Sequence, residues 1–312
     1  MKKTSILVGL LVGLWALGQT AWAAPAGPRV VVSIKPLHSL VAGVMEGVAE
    51  PQLLLQGGAS PHGYVLRPSE AKLLTDAQLI VWVGPQLESF MQKPLASLAG
   101  KARRLQLAEE LQARLLPART GGAWEDDGHG HGHDHGHGRP LSRDQHLWLD
   151  PLLAKQIVEK TLTALVAIDP ANQTLYQHNA AQVQQRLDRL HEELKARLAP
   201  VQKIPYIVFH DAYQYFEAAY GLNAVGSLTI DPERKPGARR IRELRQRIQE
   251  LQARCVFSEP QFEPRLVATV IEGSGARTGV LDPIGADLPA GPDAYVRLLT
   301  ALADNLTACL RD

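Results

Sequence analysis

The chain has 312 residues, and its 33 Lys and Arg against 32 Asp and Glu give a formal net charge of +1. This near-neutral balance gives no support for nucleic-acid binding, and we expect no nucleic-acid partner. A chain of this length suits two domains of ordinary size.

Residues 1–23 have the pattern of a secretory signal peptide. Two lysines precede an apolar stretch from Ile6 to Leu17, and residues 21–23 read A-W-A, a typical cleavage pattern. The apolar stretch of 12 residues is too short to span a bilayer as a helix, although an uncleaved anchor is the alternative. No cysteine lies near the cleavage site, so we expect a periplasmic protein without a lipid anchor, beginning near Ala24.

The sequence contains two cysteines, Cys255 and Cys309. In an oxidising compartment such as the periplasm, two cysteines are expected to form a disulfide. Two buried free thiols are the alternative.

In the first half of the chain, short apolar runs alternate with helical patterns. This alternation predicts βα units and a parallel sheet. The predicted strands are 29–34, 52–55, 79–83 and 103–107, and the predicted helices are 38–47, 69–76 and 86–98.

Residues 117–145 are rich in Pro, Gly, His and charged residues and have no periodicity, which predicts a long flexible loop. Imidazole is a common ligand for zinc, copper and nickel, so we interpret a dense histidine run here as an auxiliary metal-collecting loop, with a polar linker as the alternative. Glycine spacers do not fix ligand positions, so a rigid site must use other residues. The histidines of the run are His129, His131, His133, His135 and His137.

The longest predicted helix covers about 171–198, between Asp169-Pro170 and Pro200. Its leucines and one valine recur every three or four residues, the spacing of one buried stripe. Two histidines on it, His178 and His191, are interpreted as surface or packing residues.

After Pro200 the βα pattern restarts, so the chain reads as two α/β lobes joined by one long helix. The predicted strands are 206–209, 223–227, 255–258 and 278–281, and the predicted helices are 237–252, 263–272 and 292–310. We therefore predict an N-terminal lobe over 24–168, a linking helix over 169–200 and a C-terminal lobe over 201–312.

Three further histidines stand out by position. His62 lies in a loop after a predicted strand, His146 begins the segment HLWLDP, and His210 ends the buried run YIVFH. Ligands of open α/β sheets bind beyond the carboxyl ends of strands, where His62 and His210 lie. Spacing alone does not join the three histidines into one site, since 84 and 64 residues separate them.

Several segments together resemble the ZnuA family, the periplasmic zinc-binding proteins of bacterial ABC zinc importers. The resemblance covers nearly the whole mature chain, and the motifs follow in the family's order. They are SIKPLHSLV (33–41), GGASPHGYVLRPSE (57–70), LIVWVGPQLESFM (79–91), HLWLDP (146–151), VFHDAYQYFE (208–217), CVFSEPQFEP (255–264) and VLDPIG (280–285).

The resemblance implies two lobes, each with a four-stranded parallel sheet flanked by helices, bridged by a rigid helix with metal in the cleft between them. It implies that His62 and His146 bind Zn²⁺ from the N-terminal lobe and His210 from the C-terminal lobe. It also implies a pairing of Cys255 with Cys309. An ABC zinc permease is the implied partner of a monomeric receptor, with an accessory periplasmic zinc chaperone as a further candidate.

The fourth ligand has two candidates, Asp282 and a water. Asp282 matches the position where relatives place a carboxylate near the metal, but it could also cap the following turn or orient a ligand histidine. Some family members carry a glutamate just before the first ligand histidine, where this chain has Pro61.

Three imidazole nitrogens and one oxygen suit tetrahedral zinc, whereas a more oxygen-rich set would favour manganese. The leading hypothesis is a zinc receptor without enzymatic activity. The alternatives are a manganese or iron receptor of the same fold, a secreted zinc hydrolase, and an adhesin-like surface protein. The hydrolase lacks support, because the sequence contains no HExxH motif and no carboxylate pair beside a nucleophile.

Overall fold

The computed structural model describes residues 27–119, 124, 143–229, 232, 237–263 and 265–311. The predicted signal peptide and the histidine run of 129–137 lie outside the described residues. Within the described part, the chain forms two four-stranded parallel sheets flanked by helices, which confirms the predicted fold class.

The N-terminal sheet is built from short apolar runs. Its two central strands are completely buried, as expected where helices cover both faces of a parallel sheet. The strand order is β2-β1-β3-β4. The strands are β1 (Val30–Val32), β2 (Gln52–Leu53), β3 (Leu79–Trp82) and β4 (Arg103–Gln106), each inside a segment predicted as a strand.

The C-terminal sheet repeats this arrangement in the order β6-β5-β7-β8. All of its strand pairs are parallel, so the carboxyl ends of the strands meet at one edge of the sheet. His210 is the last residue of β5, and Glu259 follows β7 directly. The strands are β5 (Tyr206–His210), β6 (Ala224–Thr229), β7 (Cys255–Ser258) and β8 (Arg277–Val280).

Helices connect and cover the strands. Where the sequence predicts one helix over 86–98, the structure has a 3₁₀ turn at Ser89–Met91 followed by a short α-helix. That helix starts at Gln92, so Pro94 falls in its first turn, where a missing N–H costs no hydrogen bond. The helices around the two sheets are α1 (Lys35–Val44), α2 (Pro68–Asp76), α3 (Gln92–Ser97), α4 (Leu107–Glu110), α7 (Gln214–Tyr220), α8 (Ala238–Glu250), α9 (Arg265–Ile271) and α10 (Ala294–Leu310).

Two long helices pack against each other after the N-terminal sheet in the chain. The predicted linking helix is α6 (Gln173–Leu198), 26 residues long with 3₁₀ turns at both ends, and its leucine stripe is buried. Before it comes α5 (Pro151–Ile168), which the sequence analysis does not assign. The Asp150 side chain caps α5 by accepting a hydrogen bond of 2.8 Å from the amide of Leu152.

One hydrophobic cluster runs through both lobes and includes residues of β1, β3, α1, α5, α6, β5 and α10. The last helix, α10, packs against α6 and α1, so it connects the C-terminal lobe to the N-terminal one. Cys255 on β7 and Cys309 on α10 form a disulfide, with Cα atoms 6.2 Å apart, as the resemblance implies. In the described part of the chain, every helix is too short or too polar to cross a membrane.

Candidate metal centre

The structure brings together three histidines that are far apart in sequence. His210 ends β5, His146 precedes a 3₁₀ turn (Leu147–Leu149) at the start of α5, and His62 lies in the loop between β2 and α2. One ring nitrogen from each lies within 4.8 Å of the others. The ring centroids are 5.2–5.5 Å apart, so the three imidazoles converge on one point.

The spacing of the nitrogens fits a tetrahedral metal ion. His146 Nε2 and His210 Nε2 are 3.4 Å apart. With Zn–N bonds of about 2.0–2.1 Å, two ligands of a tetrahedral zinc lie about 3.3–3.4 Å from each other. The pair therefore already has the separation that a shared zinc ion requires.

A carboxylate orients each of two histidines. Asp144 Oδ1 lies 2.8 Å from His146 Nδ1, and Glu259 Oε1 lies 2.7 Å from His210 Nδ1. A carboxylate accepts a hydrogen bond from the Nδ1–H group, so the proton of the neutral imidazole stays on Nδ1 and Nε2 is free to bind metal. All four residues are buried, so this choice of tautomer is protected from water.

Sequence reasoning missed both carboxylates. Asp144 is two residues before His146, inside the segment predicted as a flexible loop. Glu259 is 49 residues from His210, but β7 pairs with β5 in the register Tyr206–Cys255 and Ile207–Val256. Continued by three residues, that register sets Glu259 beside His210, so a carboxylate directly after a buried strand is the signal that could have found it.

Burial and charge act differently on the two lobes' ligands. Burial, and then repulsion from the other two histidines, lowers the pKa of His62 well below its usual 6.5. Burial also opposes protonation of His210, but the charge and hydrogen bond of Glu259, with two nearby aspartates, raise its pKa. His62 therefore stays neutral, as metal binding requires. Glu259 makes the Nε2 lone pair of His210 more basic toward a metal ion.

The cavity at the histidines is small and has both apolar and polar walls. Pro61, Trp148, Phe262, Pro283 and Ile284 line it together with the three imidazoles. The volume open to the centre of a water molecule is about 10 Å³. This is about the room that one water needs, so the cavity can hold an ion with one small ligand.

Asp282 is close to this cavity but engaged elsewhere. Its Oδ1 accepts a hydrogen bond of 2.8 Å from Gln261 Nε2. Both carboxylate oxygens also accept from the backbone amides of residues 284–286, so Asp282 caps that turn. Among the described residues, the group able to hold a metal consists of the three histidines without Asp282. A role of Asp282 as fourth ligand stays a prediction.

The two ends of the predicted loop 117–145 are fixed beside the site. Pro117 and Arg143 form an antiparallel bridge. The Tyr215 hydroxyl on α7 accepts from the amide of Leu116 at 2.9 Å and donates to the carbonyl of Asp144 at 2.8 Å. The segment that carries Asp144 and His146 is therefore bound directly to the lobe that carries His210.

Arg119 strengthens this contact. Its Nε lies 3.0 Å from Asp211, the residue after His210, and its Nη1 lies 2.7 Å from Glu217 Oε2 on α7. Its guanidinium also lies 3.6 Å from the ring centroid of Trp124. Arg119 thus supplies the positive charge between two acidic groups of the C-terminal lobe.

Comparison with known proteins gives the same assignment as the motifs. The high-affinity zinc uptake system protein ZnuA of Brucella abortus (strain 2308) is 45% identical over 310 residues, which cover 91% of this chain and 93% of that protein. The ZnuA of Yersinia pestis is 36% identical over 293 residues, covering 92% of each chain.

Solved structures agree on the fold. A crystal structure of ZnuA superposes with a TM-score of 0.76 at 24% identity and covers 91% of this chain and 99% of that one. The periplasmic zinc-binding protein TroA of Treponema pallidum superposes with a TM-score of 0.77 at 22% identity, covering 92% of this chain and all of its own. The sequence profile of the family described as ZnuA, zinc-uptake complex component A, periplasmic, matches residues 30–309, and the chain therefore belongs to that family.

Proposed function

We propose that this protein captures Zn²⁺ in the cleft between its lobes with His62, His146 and His210, and delivers the ion to an ABC-type zinc import permease. The observation that carries this proposal is the convergence of three buried imidazoles, two of them with Nε2 atoms 3.4 Å apart. Membership of the ZnuA family supports zinc as the cargo and uptake as the purpose.

The ligand atoms favour zinc over manganese. Three imidazole nitrogens can occupy three corners of a tetrahedron around one ion. This arrangement suits a borderline-soft ion with a low coordination number. Manganese prefers more oxygen ligands. The carboxylates nearest the site are already hydrogen-bonded to histidine Nδ1 atoms or to the backbone amides of a turn. We therefore expect zinc to bind much more tightly than manganese.

The protein acts as a carrier and not as an enzyme. The family is a component of zinc-uptake complexes, which agrees with binding and delivery.

The finer parts of the proposal follow the sequence patterns. The signal-peptide pattern and the family support export to the periplasm. A monomer would meet the permease there, and an accessory zinc chaperone is a further candidate partner. Residues 24–168 and 201–312 would move as lobes about the helix of 169–200. The run His129, His131, His133, His135 and His137 would collect additional, weaker zinc.

Calorimetric titration of zinc into the mature protein tests the proposal. Wild type should bind one ion tightly, and His210→Ala should lose most of that affinity. His178→Ala is the matched control, because this histidine is exposed on α6 and bonded only to Gln182 in the described contacts. Wild-type affinity in His210→Ala, or equal affinity for manganese and zinc, would refute it.

A second variant separates the loop from the tight site. Deleting 125–142 removes the histidine run but spares Arg119, Arg143 and Asp144, which the structure ties to the site. The deletion should keep the tight ion and lose only weaker ones. Loss of the tight ion in this variant would show that the run itself builds the main site.

A further inference from the structure

One buried acceptor atom at the metal centre lacks a hydrogen-bond donor. Gln261 lines the cavity of the three histidines. Its Oε1 atom is shut off from solvent and has no partner among the described residues. A buried acceptor without a donor costs free energy, so such atoms at the edge of a binding site indicate a donor that arrives with the ligand.

The orientation of the Gln261 amide is fixed by its neighbour. Its nitrogen lies 2.8 Å from Asp282 Oδ1, which also accepts from backbone amides. A carboxylate oxygen that accepts other hydrogen bonds requires a donor here, so the NH₂ group must face Asp282. The amide oxygen is then held on the other side of the group, where it is buried and unpartnered.

The histidines cannot supply the missing donor. His146 and His210 donate hydrogen bonds from Nδ1 to Asp144 and Glu259, so their Nε2 atoms are acceptors. The Nε2 of His62 is likewise buried and without a partner. The cavity therefore gathers several lone pairs, an arrangement that a cation stabilises together with one group able to donate hydrogen bonds.

We propose that Gln261 fixes the fourth coordination position by accepting a hydrogen bond from a water bound to the zinc, and that Asp282 is a positioning residue that acts through Gln261. This inference rests on zinc capture by the three histidines. Zinc sites with three protein ligands keep a water in the fourth position, and the ion makes that water a strong donor. A neutral amide oxygen accepts this hydrogen bond without adding the oxygen ligand or the charge that would favour manganese.

Zinc affinities of Gln261→Met, Asp282→Ala and the double variant test the assignment. Met has nearly the length of Gln but no comparable acceptor, so Gln261→Met should weaken zinc binding about 10- to 100-fold, the usual loss for a group that supports a ligand. Asp282→Ala should also weaken it, whereas Asp282→Asn should retain more affinity, because its amide oxygen still accepts from Gln261. Gln249→Leu on the exposed face of α8 is the control.

The double variant distinguishes positioning from independent action. If Asp282 acts through Gln261, adding Asp282→Ala to Gln261→Met should cost little more zinc affinity than Gln261→Met alone. The proposal would be overturned if the fold-loss of zinc affinity in the double variant equalled the product of the two single losses. Wild-type affinity in Gln261→Met would also overturn it. The proposed function is tested separately. If the wild type binds zinc tightly and His210→Ala does not, zinc capture by the histidines stands whatever the Gln261 variants show.

A measurement on the unaltered protein does not depend on how the variants fold. Co²⁺ replaces zinc, and the electron paramagnetic resonance of the loaded protein is compared in ordinary water and in water enriched in ¹⁷O. Broadening by ¹⁷O is expected, because a water occupies the fourth position. An unchanged spectrum would mean that a protein atom occupies that position, which would refute the proposal.

Discussion

At the scale of single residues, Glu259 and Asp144 decide how His210 and His146 present their nitrogens to the candidate metal site. Both carboxylates accept from Nδ1 at 2.7–2.8 Å, inside the protein. Glu259 also raises the pKa of His210, which increases its basicity as a ligand. The imidazoles are thus held in the metal-binding tautomer before an ion arrives, which lowers the ordering cost of binding.

Glu259→Ala should therefore weaken zinc binding about 10- to 100-fold. Glu259→Gln should lose less, since its amide oxygen can still accept the Nδ1 proton although the charge is gone. Competition against a chromophoric chelator measures both, with Glu193→Ala on the exposed face of α6 as the control. Equal affinities for Glu259→Ala and wild type would rule out the orienting role.

Glu88 makes stability depend on pH away from the metal. It is fully buried, and its Oε2 accepts from the amides of Val83 at 2.7 Å and Gly84 at 3.0 Å. Burial raises its pKa from 4.5 to about 7, although these amides oppose the shift. Between those two pH values the folded state holds a proton that the unfolded state has lost.

The stabilising contribution of protonated Glu88 should thus be complete below pH 4.5 and be lost as the pH rises to about 7. Glu88→Gln removes this titration. The free energy of unfolding of the variant minus that of wild type should then increase with pH across this window, by about 3 kcal/mol at most. Denaturant unfolding at pH 4.5, 6 and 8 measures it, and a difference independent of pH would contradict the assignment.

The three histidines that the structure brings together could be singled out by sequence position and motif, but their neighbours could not. His62 and His210 follow strands, where α/β proteins bind ligands. Glu259 comes close to His210 only through the pairing of β7 with β5, and sequence patterns do not give strand order. The placement of Gln261 beside Asp282 likewise depends on the order of β7 and β8.

At the scale of elements, strands were easier to predict than helices. Each of the eight described strands lies in or overlaps a predicted one, because buried parallel strands appear as short apolar runs between polar turns. Helix α5 was missed although Asp150 before Pro151 is a good N-terminal signal. Its apolar residues are spread around the helix because α6, α1 and the strands β3 and β4 pack against it, which obscures a single stripe.

The contact of Arg119 with α7 and Asp211 joins the base of the loop to the C-terminal lobe. Glu217 is buried, and its pKa is raised by burial to about 7 even though Arg119 opposes the shift. Arg119→Met would leave Asp211 and Glu217 without their cation. Removing one partner of a buried ion pair is far costlier than replacing both.

Arg119→Met should therefore destabilise the protein by about 3 kcal/mol. Adding Glu217→Gln to that variant should restore part of the loss, because it removes a buried acid that has become unpaired. Denaturant unfolding at neutral pH measures both, and Arg114→Met, at an exposed position of the same segment, is the control. A double variant no more stable than Arg119→Met would contradict this account.

At the scale of the whole molecule, the lobes are joined by more than α6. Lys35 on α1 donates to the carbonyls of Ala286 at 2.8 Å and Leu288 at 2.7 Å, and Trp148 donates to the carbonyl of Pro283 at 2.8 Å. These bonds link N-terminal elements to the turn that Asp282 caps. With a hydrophobic cluster shared by both lobes, they favour a modest hinge and a preformed site.

Zinc should consequently stabilise the molecule as one unit. A ligand that binds only the native state adds about 2.7 kcal/mol at a hundredfold excess over Kd, which is about 5–10 °C in Tm for a chain of this size. Scanning calorimetry should show a single transition that moves up in zinc and returns with chelator. His210→Ala should abolish most of the shift while His178→Ala keeps it. Two transitions, of which zinc moves only one, would show that the lobes unfold independently and that the ion is held by one of them, since an ion bridging a shared core must stabilise both.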